Sequence, residues 1–201
     1  VMQAHRLRLI IELGDAVEYL HKANWIHRDI CPRNVLVTKE HSTRLIDFGL
    51  VVPNTAAFQE PGNRTGTANY MAPELIKRQR TDQRIDIFSF AVTCYEMYCR
   101  QLPWPAITTA SLEAVLKRIN QRPTEIQDVV QLDSQIGSTI MKGLELDPRE
   151  RWQTMTEMVS ELRSAYERLT PTAKKQAAEA ASKKRPKRRD DLAGKWQFKT
   201  E

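Results

Sequence analysis

The chain has 201 residues, 41% of them hydrophobic and 28% charged, which suffices for one domain with a sizeable core. No run of eighteen or more apolar residues occurs, which excludes a helical membrane span. The formal net charge of +6 is localised, because residues 1–170 balance while residues 171–201 carry ten Lys/Arg against four acidic residues. The globular part therefore makes no electrostatic case for nucleic acid.

Cys31, Cys94 and Cys99 are odd in number and show no CxxC spacing, so they read as reduced thiols of an intracellular protein. Four scattered histidines suggest no zinc site. The first residues lack the apolar stretch of a secretory signal, and Val1 hints at a start inside a longer polypeptide.

In chain order, Leu9, Leu13, Ala16, Val17 and Leu20 recur at helical spacing and predict a helix from about Gln3 to Ala23. Val35–Val37 and Leu45–Ile46 are short apolar runs around the turn-like Glu40-His41-Ser42, as in a small hairpin. From Val51 to Thr67 periodicity is absent and Pro, Asn, Gly and Thr abound, which predicts a long loop. Ile85–Tyr98 is apolar almost all round, the pattern of a buried helix. Three more helical segments follow near 109–120, 134–145 and 154–169. The tail, Ala/Lys-rich and then KKRPKRRDD, holds too few apolar residues to fold alone.

Three motifs occur in order. His27-Arg28-Asp29-Ile30-Cys31-Pro32-Arg33-Asn34 lies between the first helix and the first strand, Asp47-Phe48-Gly49 follows the second strand, and Gly66–Glu74 reads GTANYMAPE. On these residues the chain resembles the protein kinase superfamily, whose signatures are HRDxxxxN, DFG and APE. The resemblance covers about residues 1–170. It implies a protein kinase-like α+β fold, with a mainly helical C-lobe carrying a short β-hairpin and with the N-lobe absent. Residues 171–201 would be a basic, disordered tail or linker.

The resemblance also implies roles. Phosphoryl transfer from ATP needs a group that takes or orients the hydroxyl proton, and oxygen ligands for Mg²⁺ (or Mn²⁺) on the phosphates. Asp29 would do the first, and Asn34 and Asp47 would hold the metal. Thr67 would bind Asp29 in the segment that receives a protein substrate. Asp86 would bond the catalytic-loop backbone, Glu74 would pair with a partly buried Arg151, and His27 would be structural. Arg28 would pair with a phosphorylated loop, Thr55 and Thr65 both being open as the phosphosite.

The chain departs from the pattern at Cys31, where serine/threonine kinases usually carry a lysine that steadies the transferred phosphate. Arg33, two residues on, resembles the arginine that takes this role in many tyrosine kinases, although its fork is not equivalent to an ammonium. Either Arg33 substitutes or catalysis is impaired, and the first is favoured. GTANYMAPE points to Ser/Thr specificity. Ala91 replaces a usual glycine, a packing change of small consequence. No Gly-rich loop, strand lysine or partner glutamate precedes the first helix in this sequence. The chain alone is therefore expected to be inactive, requiring an N-lobe in the same polypeptide. A kinase-like binding module without catalysis is the main rival. An aminoglycoside kinase-like phosphotransferase is disfavoured by GTANYMAPE. KKRPKRR reads first as a solvated linker, with nuclear import and nucleic-acid or anionic-membrane binding as alternatives.

Overall fold

A computed structural model of the chain describes residues 2–60, 65–105, 114, 117 and 120–170. The expected helix near 109–120 lies almost wholly outside them, and the basic tail entirely so. The chain divides into two units, residues 1–166 and 167–201, and only 167–170 of the second are described.

The first helix, α1 (Met2–Lys22), matches the periodic apolar stripe: Leu9, Leu13 and Val17 are buried along it. Two-residue β1 (Trp25–Ile26) follows, then a 3₁₀ turn at Pro32–Asn34 and the hairpin β2 (Val35–Val37) and β3 (Thr43–Leu45). The hairpin is antiparallel, Val35 opposite Leu45, and it is fastened to α1. Thr43 Oγ1 donates to the Leu9 carbonyl at 2.9 Å, and Glu12 Oε2 accepts from Thr43 N at 2.7 Å. The hairpin is thereby held by polar contacts, while Leu36 and Val37 remain exposed.

The stretch expected to be one irregular loop is not. Strand β4 (Val52–Pro53) pairs antiparallel with β1, Ile26 opposite Val52, and α2 (Ala56–Gln59) follows. Both elements are too short to leave a periodic signature. Next come a 3₁₀ turn at Ala68–Tyr70, α3 (Pro73–Ile76) and the long α4 (Arg84–Cys99). Eleven consecutive residues of α4, Ile85 to Tyr95, are all buried, so this helix has no solvent face over that length. Around it lie α1, α5 (Ile126–Val129) and α6 (Ser134–Gly143), with α7 (Met155–Leu169) closing the core through Met158, Val159 and Leu162. Asp133 caps α6, its carboxylate accepting from Gln135 N at 3.0 Å and Ile136 N at 3.3 Å.

The methyl group of Ala91 faces Gly143 of α6. A Cβ placed on Gly143 of α6 would lie 2.6 Å from Ala91 Cβ, and Met158 Cε would be 3.2 Å away. Two backbones meet there with room for one methyl group. Gly143→Ala is expected to destabilise the fold by about 1–3 kcal/mol through overpacking. Adding Ala91→Gly should restore most of the loss in chemical denaturation. No recovery in the double variant would show that the clash does not lie between these two positions.

Candidate functional site

The motif residues converge where the loop after β1 meets the segment before α3. That loop begins with two residues tied to α4. Asp86 is fully buried, its Oδ2 accepting from His27 N at 2.7 Å and its Oδ1 from Arg28 N at 2.8 Å. Arg28 adopts φ +72°, a strained conformation that these bonds hold in place. His27 is fully buried, and its Nδ1 accepts from Asp29 N at 3.3 Å, so in the neutral ring the proton sits on Nε2. Burial pushes the imidazole pKa down, against the pull of Asp86 and Asp29, which favours that neutral ring. Its ring stands edge-on to Phe48, with 5.4 Å between centroids.

Asp29 itself is gripped on both oxygens. Oδ1 accepts from Thr67 N at 2.7 Å and Thr67 Oγ1 at 2.8 Å, and Oδ2 accepts from Asn34 Nδ2 at 2.9 Å. Asn34 Nδ2 also donates to the Asp29 carbonyl at 2.8 Å, so the amide nitrogen is spent and its Oδ1 is left as an acceptor. Gly66 brings Thr67 to Asp29. Its φ is +123°, and a Cβ there would stand 2.7 Å from the Arg28 carbonyl, a conformation and space that only glycine takes without strain. Arg33 Nη2 donates to Thr67 Oγ1 at 2.8 Å, and Cys31, fully buried, places its sulfur 3.7 Å from the same oxygen.

The hairpin brings Asp47 to the same side. The Ile46 N–H bonds the Asn34 carbonyl at 2.9 Å, extending the β2–β3 ladder by one step beyond Val35 and Leu45. Asp47 then turns out at φ +63°, exposed, and Oδ1 accepts from Gly49 N at 3.2 Å. Asn34 and Asp47 thus offer oxygens at adjacent ends of one rigid hairpin. Among the described residues no cluster of three or more His, Cys, Asp or Glu is placed to hold a metal by itself.

Farther out, Arg151 and Glu74 are more buried than the partial burial expected, at 2% and 3% exposure. Their pairing is bidentate, with 2.7 Å on each oxygen. Of the two loop threonines, Thr65 accepts a hydrogen bond from the Arg28 guanidinium, whereas Thr55 is exposed at the start of α2.

Sequence reasoning missed two features. His21, on the last turn of α1, bonds Asp86 Oδ2 through Nε2 at 2.9 Å, a third contact to that carboxylate. Its signal was available: Leu13, Val17 and His21 are spaced four apart on one buried face. Tyr70 bonds its hydroxyl to Glu96 Oε2, and burial together with that carboxylate raises the phenol pKa. Ser89 Oγ donates to the Tyr70 carbonyl at 2.7 Å, so α4 supports this segment from below.

The part-buried grip on both oxygens of Asp29 thus lies beside Asn34, Asp47 and the segment after Gly66, on a mainly helical fold with a short hairpin. The structure of the Cydia pomonella granulovirus kinase PK-1 superposes with a TM-score of 0.69 at 23% identity, over 79% of this chain and 58% of that one. The family described as "Protein kinase domain" matches residues 2–162, and the chain belongs to that family. Among curated relatives, a probable serine/threonine-protein kinase of Clostridium perfringens is 29% identical over 84% of this chain and 25% of its own length. A second, from Clostridium acetobutylicum, is 30% identical over 75% and 23%. An Aurora kinase of Eremothecium gossypii is 31% identical over 71% and 37%. The chain thus spans about a quarter of the two clostridial relatives' lengths.

Proposed function

We propose that this chain carries the catalytic centre for phosphoryl transfer from ATP to a serine or threonine hydroxyl of a protein substrate. The grip of Thr67 and Asn34 on Asp29 carries this reading. It aims a carboxylate, with one oxygen held by each partner, at the place where an incoming hydroxyl must lose its proton. The serine/threonine assignment rests on Thr67 and on the likeness to the two clostridial proteins, both described as probable serine/threonine-protein kinases.

The donor chemistry fits a hard divalent cation. Asn34 keeps Oδ1 free of its own amide's bonds and Asp47 presents an exposed carboxylate, the pair that would hold Mg²⁺ or Mn²⁺. The metal would neutralise charge on the ATP phosphates, completing its shell from them and from water. Phe48 and Leu36, each 53% exposed, and Tyr19, 75% exposed, leave apolar surface at this end of the molecule. An N-lobe supplied in the same natural polypeptide would cover it and bring the Gly-rich loop and strand lysine that this sequence does not contain. Thr65, already on the Arg28 guanidinium, is the better-placed phosphosite of the two loop threonines.

Asp29→Asn keeps the shape of the side chain and removes its basicity. In the natural polypeptide, assayed well below its melting temperature, it is expected to lower phosphoryl transfer by at least ~100-fold, alongside some loss of stability because the amide meets one of the Thr67 and Asn34 donors with an NH₂ group. Transfer at the unsubstituted rate would sink the assignment. The 201-residue chain by itself is expected to transfer no phosphate, and Asp29-dependent phosphorylation by it would overturn that part. The sequence feature favouring a binding module is Cys31 in place of a lysine, and an unsubstituted natural polypeptide that binds its partner but transfers no phosphate would support it.

A further inference from the structure

Cys31 leaves the site without the usual lysine, and the cation that is present does something specific. A guanidinium has only donors, so Arg33 can only donate to Thr67 Oγ1. A threonine hydroxyl has one proton and two lone pairs, and with a lone pair taken by Arg33 its proton is free for Asp29 Oδ1, 2.8 Å away. The hydroxyl is thereby oriented from behind by a charge, and charge-assisted donors strengthen the next bond in a chain. Cys31, fully buried and 3.7 Å from the same oxygen, adds at most a weak third contact. Asn34 holds the other carboxylate oxygen independently of this chain of bonds.

We propose that Arg33 is a positioning residue that acts on Asp29 through the Thr67 hydroxyl, and that it is not a direct clamp on the transferred phosphate. The same chain of bonds joins the loop after β1 to the segment after Gly66, so Arg33 also sets how firmly Thr67 stays on Asp29. The kinetic consequence rests on the phosphotransfer reading; the linkage between the three side chains does not.

A double-variant cycle tests it with Arg33→Met, which keeps the length of the stem, and Thr67→Val, which keeps the shape and the backbone N–H. In the 201-residue chain, Arg33→Met is expected to speed hydrogen exchange at the residue-67 amide about tenfold, and to add nothing further in the Thr67→Val background. Arg33→Lys, whose ammonium can still donate to the hydroxyl, should recover most of the protection. In the natural polypeptide, Arg33→Met should lower kcat about tenfold while KM for ATP stays within about twofold, again only when Thr67 is present. Undiminished effects of Arg33→Met on a Thr67→Val background would overturn the proposal, as would a raised KM for ATP with kcat unchanged. Absence of transfer from the unsubstituted natural polypeptide would count against the phosphotransfer reading alone, and the exchange cycle would still decide the linkage.

Discussion

Arg151→Met is expected to reduce the unfolding free energy by about 3–5 kcal/mol, the cost of stranding one member of a buried ion pair. The guanidinium has five N–H donors and all five are used. Two go to the Glu74 carboxylate, and the others reach the carbonyls of Arg84 at 3.2 Å, Glu145 at 2.6 Å and Leu146 at 3.1 Å. Its flat face lies over the Phe88 ring, 4.9 Å from the centroid. Methionine fills much of the volume but removes the donors that Arg151 gives to a buried carboxylate and three carbonyls. Arg151→Lys should recover only part of the loss, because an ammonium cannot present the planar fork that spans both Glu74 oxygens. Replacing both partners by apolar residues of similar size should recover more, since no uncompensated charge is then buried. Urea denaturation of the single and double variants reads all three expectations. A loss below about 1 kcal/mol for Arg151→Met would mean that the pair behaves as an exposed one.

The second large effect is expected at Asp86. Asp86→Asn should cost about 3 kcal/mol, because hydrogen bonds to an ionised group are worth roughly 1.5–3 kcal/mol each and three donors converge on this carboxylate. The backbone N–H groups of His27 and Arg28 and the Nε2 of His21 all point at it. An amide presents only one oxygen, so at least one donor would face an NH₂ group. Arg28 would then lose what holds its left-handed backbone, and the displacement would pass to Asp29 next in the chain. Exchange rates at the His27 and Arg28 amides should rise well above those of α6, whose capping does not involve Asp86. Protection retained at both amides would refute Asp86 as the anchor of this loop.

Much of the architecture could be read from local patterns. The helix Met2–Lys22 shows its apolar stripe, and the unbroken apolar run before Tyr98 announces a helix buried on all sides. The hairpin is legible because its two runs flank a turn within one short stretch. Strand β4 is not, because two residues carry no alternation and its partner, Ile26, lies far back in the chain. Arg151 was expected to be only partly buried, since charged side chains default to the surface. Its full burial depends on the Glu74 carboxylate and the Arg84 carbonyl, both far back in the chain, as well as on the neighbouring Glu145 and Leu146 carbonyls, which no local pattern encodes together.

The sequence by itself determined which chemical groups are present and in what order: Asp29, Asn34, Asp47 and Thr67 at motif spacing, with a cysteine where a lysine is usual and an arginine two residues later. The tertiary structure decided which atom meets which. Thr67 lies 38 residues from Asp29 and Arg151 lies 77 from Glu74. Whether such groups touch depends on how α4 and its neighbours pack, because hydrogen bonds act over about 3 Å and only the packed core fixes distances that fine. The role of Arg33 belongs to this second kind, since its charge is written in the sequence but its direction, toward a threonine hydroxyl, is set by the fold.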